Sequence, residues 1–69
     1  MWNKPSVIGP GADVTVIVIL DRGVLCYAQQ NSDPREWYEV ELDGSMVFGR
    51  DGSPQSIPVP HWWTHVPPM

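Results

Sequence analysis

The chain is poor in cysteine, in cations and in charge altogether. Its one cysteine, Cys26, cannot close an intrachain disulfide. No second thiol stands near the two histidines to complete a structural zinc set. Four Lys and Arg against eight Asp and Glu leave a net charge of −4, the wrong sign for a protein that lives on the phosphate backbone of DNA. Charged residues make up only 17%. Long apolar runs are missing too. The longest, Val14 to Leu20, falls far short of the roughly 20 residues that cross a bilayer as a helix, and Met1-Trp2-Asn3-Lys4-Pro5 holds no signal-peptide core. Neither DNA nor a membrane is an expected partner, and the expected compartment is the cytoplasm.

Long helices are unexpected as well, because 8 prolines and 6 glycines punctuate 69 residues. A chain of this size forms one domain, here residues 1–69, buries only about 60% of its unfolded surface, and has a core that rarely supplies more than roughly 3–5 kcal/mol of net stability. With neither disulfide nor metal as a staple, self-association into a homodimer or higher oligomer is the expected support.

What is present reads as short strands and turns. Residues 1–13 form an extended, Pro/Gly-rich lead-in, with Trp2 expected to dock as an N-terminal plug. Residues 14–49 read as two β-hairpins. Val14 to Leu20 is β-branched and apolar on both faces, as in a strand covered on two sides, and is expected at the centre of the sheet. A three-residue connection with Gly23 in a left-handed conformation returns it to a second strand, Val24 to about Gln29. After the polar loop at 30–35, residues 37–42 alternate, with Tyr38, Val40 and Leu42 on one face and Trp37, Glu39 and Glu41 on the other. Asp43-Gly44 predicts a two-residue type I′ turn into a return strand at Ser45 to Phe48. Residues 49–54 read as an open loop.

Residues 50–69 form a Pro/Trp-rich tail without a formal charge after Asp51. Its prolines forbid a helix, yet Ile57, Val59, Trp62, Trp63 and Val66 are too apolar to trail in water. The tail is expected to pack on the sheet, most simply as an edge strand at His61 to His65. The expected fold is therefore all-β or β-dominated: a small twisted antiparallel sheet of four to five strands with the tail packed on it.

Several residue groups bear on chemistry. His61 and His65 have zinc-helix spacing, but the flanking prolines exclude that helix, and in an extended chain the two stand about 13 Å apart. No metal is expected; one histidine is expected to cap backbone groups at the sheet edge. Trp2, Trp37, Tyr38, Trp62 and Trp63 form an aromatic set that suits a core, a protein interface or a base-stacking platform. Gly9-Pro10-Gly11-Ala12-Asp13 is a structural turn rather than a phosphate loop, since Pro10 lacks a donor and Asp13 repels an anion. Glu39 and Glu41 point the same way on a solvated face, and Cys26 is expected as a buried, inert thiol. No nucleophile, base and orienting group stand at readable spacing, so an enzyme is not expected, nor is a cofactor.

In the order of these features the chain resembles a family of short phage and prophage proteins known as domain of unknown function 551. The counterparts are Trp2, Pro10-Gly11, Val14 to Leu20, Trp37, and His61-Trp62 followed by Val66-Pro67-Pro68. Trp63 stands where the family usually has Met and Thr64 where it usually has Pro, which leaves the packing of the tail open. The resemblance implies a phage-encoded accessory protein in a bacterial host, with no catalytic residues to carry over. The leading expectation is non-catalytic binding that inhibits a host enzyme or antiviral defence complex, an anti-defence role. Trp37, Tyr38, Trp62 and Trp63 would be the anchors, with Glu39 and Glu41 steering toward a basic patch. The alternative is an oligomeric sponge for a nucleotide second messenger of host defence, in which aromatic rings stack the base and Arg22, Arg35 or Arg50 meet phosphates.

Overall fold

The computed structural model describes residues 1–67, so Pro68 and Met69 of the expected tail lie outside the described residues. The fold is all-β. Strands β1 (Val16–Ile19), β2 (Leu25–Gln30), β3 (Trp37–Glu39), β4 (Ser56–Ile57) and β5 (Trp62–His65) form one antiparallel sheet in the order β4-β3-β2-β1-β5. Strand β1 is flanked on both sides, as its apolar sequence predicts, although the middle position belongs to β2.

The link from β4 to β5 dictates the shape. Ile57 pairs with Trp37, which pairs with Gln30 at one end of β2, whereas Trp62 pairs with Ile19, which pairs with Leu25 at the other end. Only five residue steps join Ile57 to Trp62, a reach of about 17 Å. In a flat sheet these strands would stand about 19 Å apart sideways and at opposite ends as well. The link closes because the sheet coils round on itself. Inside the coil, Val16, Val18, Ala28, Trp37 and Trp63 make one cluster, with Leu20, Cys26 and Ile57 packed against it.

The lead-in and the tail close this core together. Trp63 Nε1 donates to the Ile8 carbonyl at 2.8 Å. Gly9 lies against the Gln30 side chain, where a Cβ would meet Oε1 at 2.8 Å, and Ala12 bridges to Gln30. The tail forms the expected edge strand, at Trp62–His65 beside β1, and that edge is capped by Asn3, whose backbone exchanges two hydrogen bonds with Trp63. Trp2 is no plug. It stays 42% exposed, outside the core.

Three turns repeat one construction. In residues 20–24, 41–45 and 49–53 the first residue's N–H donates to the carbonyl of the fifth, and the N–H of the fourth, a glycine, donates back to the first. Gly23, Gly44 and Gly52 have φ of 76°, 89° and 81°, which glycine adopts without a Cβ clash. The hairpin at Asp43-Gly44 is thus a three-residue connection and not a two-residue type I′ turn, and 49–53 is a hairpin rather than an open loop. Between these turns the return at Ser45 to Phe48 shrinks to isolated bridges, Val40 with Met46 and Phe48 with Pro54. Ser56–Ile57 takes the place beside β3 instead.

Asp43 Oδ1 completes its turn by accepting the backbone N–H of Ser45, and Asp51 Oδ1 completes its own by accepting first the Ser53 hydroxyl, at 2.6 Å, and then the Ser53 backbone N–H. These bonds hold both carboxyls below the ordinary carboxylate range. A depressed folded pKa contributes stability that is present above the unfolded value and lost as pH falls through the folded one. Stability to urea should therefore fall as pH drops below about 4, and the double variant Asp43→Asn/Asp51→Asn should flatten that dependence. An unchanged acid limb would remove the turns from the account. Gly52→Ala should cost about 1–2 kcal/mol, because its φ is left-handed but its surroundings are open. Gly44→Ala should cost more, since its Cβ would sit 3.3 Å from Gln29 Nε2 and Thr15 Oγ1; urea midpoints compare the two.

Candidate binding surface

Alternation along a strand sends successive side chains to opposite faces, and the pairing register carries each face across the sheet. Val16, Val18 and Trp63 point inward. Ile17, paired with Tyr27 and Thr64, and Ile19, paired with Leu25 and Trp62, therefore point outward. Two residues further along β2, Gln29 pairs with Tyr38 and carries the outer face onto β3. Ile17 and Ile19 are only half-buried, so the expectation of a first strand covered on two sides is met on one side. Trp2 adds to this face, lining a shallow depression with Ile19 and Trp62. Leu25 is 60% exposed and Trp62 38%. The side chains that β1, β2 and β5 give to this face carry no formal charge, although Lys4 Nζ stands 5.3 Å from the Trp62 ring centre.

The candidate anchors divide accordingly. Trp62 and Tyr38 lie on the outer face. Trp37 and Trp63 do not: at 1% and 3% exposure they are core, and their indole N–H groups are satisfied inside, by the carbonyls of Pro34 and Ile8. Rings this deep have no contact area to give a partner. Glu39 and Glu41 also separate. Glu39 pairs with Ala28 on the inner face and is half-buried, whereas Glu41 lies past the end of β3 and is exposed. The ladder stops at Glu39, so the alternation read over 37–42 loses its phase: Trp37 and Val40 are both buried, while Leu42 is exposed.

Cys26 is half-buried rather than buried, and burial, aided by the charge of Glu39, pushes its thiol above the ordinary value. His61 caps no backbone group. Its Nε2 lies 2.5 Å from Asp21 Oδ1, while His65 stands edge-on to Trp63 with ring centres 5.1 Å apart. No group of three or more His, Cys, Asp or Glu among the described residues is arranged to hold a metal ion. The arginines are scattered. Arg22 and Arg50 sit in two different turns, and Arg35 is already paired with Asp33 at 3.2 Å.

The lower end of the outer face opens into a cleft of about 280 Å³ lined by Asp13, Gln29, Gln30, Asn31, Tyr38, Met46 and Pro54. Sequence reasoning passed over it, because Asp13 sits in a glycine-rich turn and the three amides carry no motif. No helix among the described residues is long and apolar enough to cross a membrane. Comparison of the chain with protein-family models, with curated proteins and with solved structures finds no match.

The raised thiol pKa predicts slow chemistry at Cys26. At neutral pH iodoacetamide should alkylate the folded protein more slowly than the urea-unfolded chain, and the gap should narrow as pH rises past about 9. Equal rates in the folded and unfolded states would show a thiol that burial does not protect.

Proposed function

We propose that this protein is a non-catalytic binding module that seats the outer face of its sheet on another protein. The observation that carries the reading is that face itself: an uncharged surface built from Trp2, Ile17, Ile19, Leu25, Tyr27 and Trp62 on a chain whose net charge is −4. Contiguous exposed apolar surface on a small protein marks an interaction site, and Trp and Tyr are the side chains that supply binding energy at low entropic cost. The resemblance to short phage and prophage proteins makes a host enzyme or antiviral defence complex the partner class, with inhibition by occupation as the mode. Trp62 and Tyr38 remain as anchors from the sequence reading, and Leu25, Tyr27 and Trp2 join them. The carboxylates outside the face, Glu41 among them, steer the approach toward a basic partner surface.

The sponge reading needs phosphate-binding cations next to aromatic rings. Scattered arginines make that pocket dependent on more than one subunit, which ranks it second. Self-association through the same face would serve that reading and would compete with a host partner.

The test is retention of a stoichiometric partner from host lysate by the wild-type protein and by two surface variants. Leu25→Arg places a charge on the face, at its 60% exposed apolar side chain, and should weaken retention by about thirtyfold or more. Val7→Arg, at a residue 79% exposed, should leave it unchanged. Equal loss in both variants, or in neither, removes the outer face from function. A retained nucleotide in place of a protein supports the sponge, and a dimer by light scattering that Leu25→Arg splits assigns the face to a second copy.

A further inference from the structure

We infer that the cleft at the lower end of the outer face is a seat for one arginine side chain of the partner, an inference that rests on the binding reading above. Asp13 supplies the lining's one carboxylate, and no cation lines the cleft. Among the described residues no side chain or backbone group donates to that carboxylate, although the Asp13 N–H is fixed by the Gln30 carbonyl at 3.2 Å. Its backbone has φ 63°, a left-handed conformation that Gly11, two residues earlier, also adopts at 89°. Glycine would sit there without strain, so an aspartate without a local hydrogen bond is spent on its carboxylate rather than on the turn.

The remaining wall accepts more than it donates, although Asn31 Oδ1 already takes the Ser32 N–H. Gln29 Nε2 already donates to Thr15 Oγ1, Gln30 Nε2 to the Pro34 carbonyl and Asn31 Nδ2 to Glu36. Oxygen lone pairs make up the larger part of what the three amides have left. Tyr38 and Met46 add an aromatic ring and a polarizable thioether. A carboxylate, amide oxygens and a ring together match a planar cation with many donors, which is a guanidinium more than an ammonium. They mismatch a phosphate, which would face Asp13 with no compensating charge. The cleft also continues the outer face through Gln29 and Tyr38, so a partner docked on Leu25 and Tyr27 would bring a neighbouring arginine to it.

The experiment is a titration of the ¹⁵N-labelled protein followed by amide NMR, with N-acetyl-arginine amide as probe. N-acetyl-citrulline amide, its uncharged isostere, and adenosine monophosphate are run in parallel at matched ionic strength. Saturable shifts confined to residues 12–14, 29–31, 38 and 46 are expected for the arginine probe alone. Asp13→Asn, which keeps a residue tolerant of left-handed φ, should weaken binding by about fivefold without changing the rest of the spectrum. Equal shifts with citrulline, no response to Asp13→Asn, or saturation by the nucleotide would each overturn the inference. The two readings fail separately. Partner retention that Leu25→Arg abolishes but Asp13→Asn leaves intact sinks the arginine seat and spares the binding face, whereas Asp13-dependent arginine binding without any Leu25-dependent partner does the reverse.

Discussion

Trp63 holds the two ends of the chain to the middle. Its backbone pairs with Val18 on one side and with Asn3 on the other, its ring fills the coil of the sheet, and its indole N–H fixes the Ile8 carbonyl. Without that residue β5 has no reason to leave the proline-rich tail, the lead-in has no anchor over the core, and β1 becomes an edge. A small domain lacks a second core to absorb such a loss. The lead-in adds Thr64 Oγ1 donating to the Met1 carbonyl, so both faces of β5 carry ties to the N-terminal segment.

Much of this was legible because turn chemistry is local. Gly23 and Gly44 announce reversals on their own, since only a residue without Cβ fits a φ near 80° at no cost. The type of turn at Asp43-Gly44 was not legible, because Asp-Gly serves both two-residue and three-residue connections and the register of the flanking pairs, Glu41 with Ser45 and Val40 with Met46, decides between them. Strand β4 was hidden by Pro54 and Pro58 on either side, which an edge strand tolerates. The covering of the core by the lead-in left almost no trace in the side chains, since the group that Trp63 grips is a backbone carbonyl.

The candidate site was half legible for a related reason. Alternation states that Trp62 and Trp63 face opposite ways but not which of them faces in; the register Val18 with Trp63 settles that. Similarly, Trp37 and Tyr38 are both aromatic, and either face of β3 could have been the inner one. The result is a division of labour among similar residues. Trp37 and Trp63 stabilise the coil, while Trp2 and Trp62 give the opposite surface its apolar character. The cleft by Asp13 depends on a left-handed backbone that no motif predicts.

The pairing of β1 with β5 joins residues from distant parts of the chain, Val16 with His65. Hairpin pairs form within microseconds, but a contact this remote waits for the loss of loop entropy over everything between. Until β5 docks, β1 has one unpaired edge, rich in valine and isoleucine. Such an edge is a template for a strand from any neighbouring molecule. The chain covers that edge with its own tail, a segment without formal charge that docks on β1 by backbone pairing, is flanked by Pro60 and Pro67, and has its own outer edge met by Asn3.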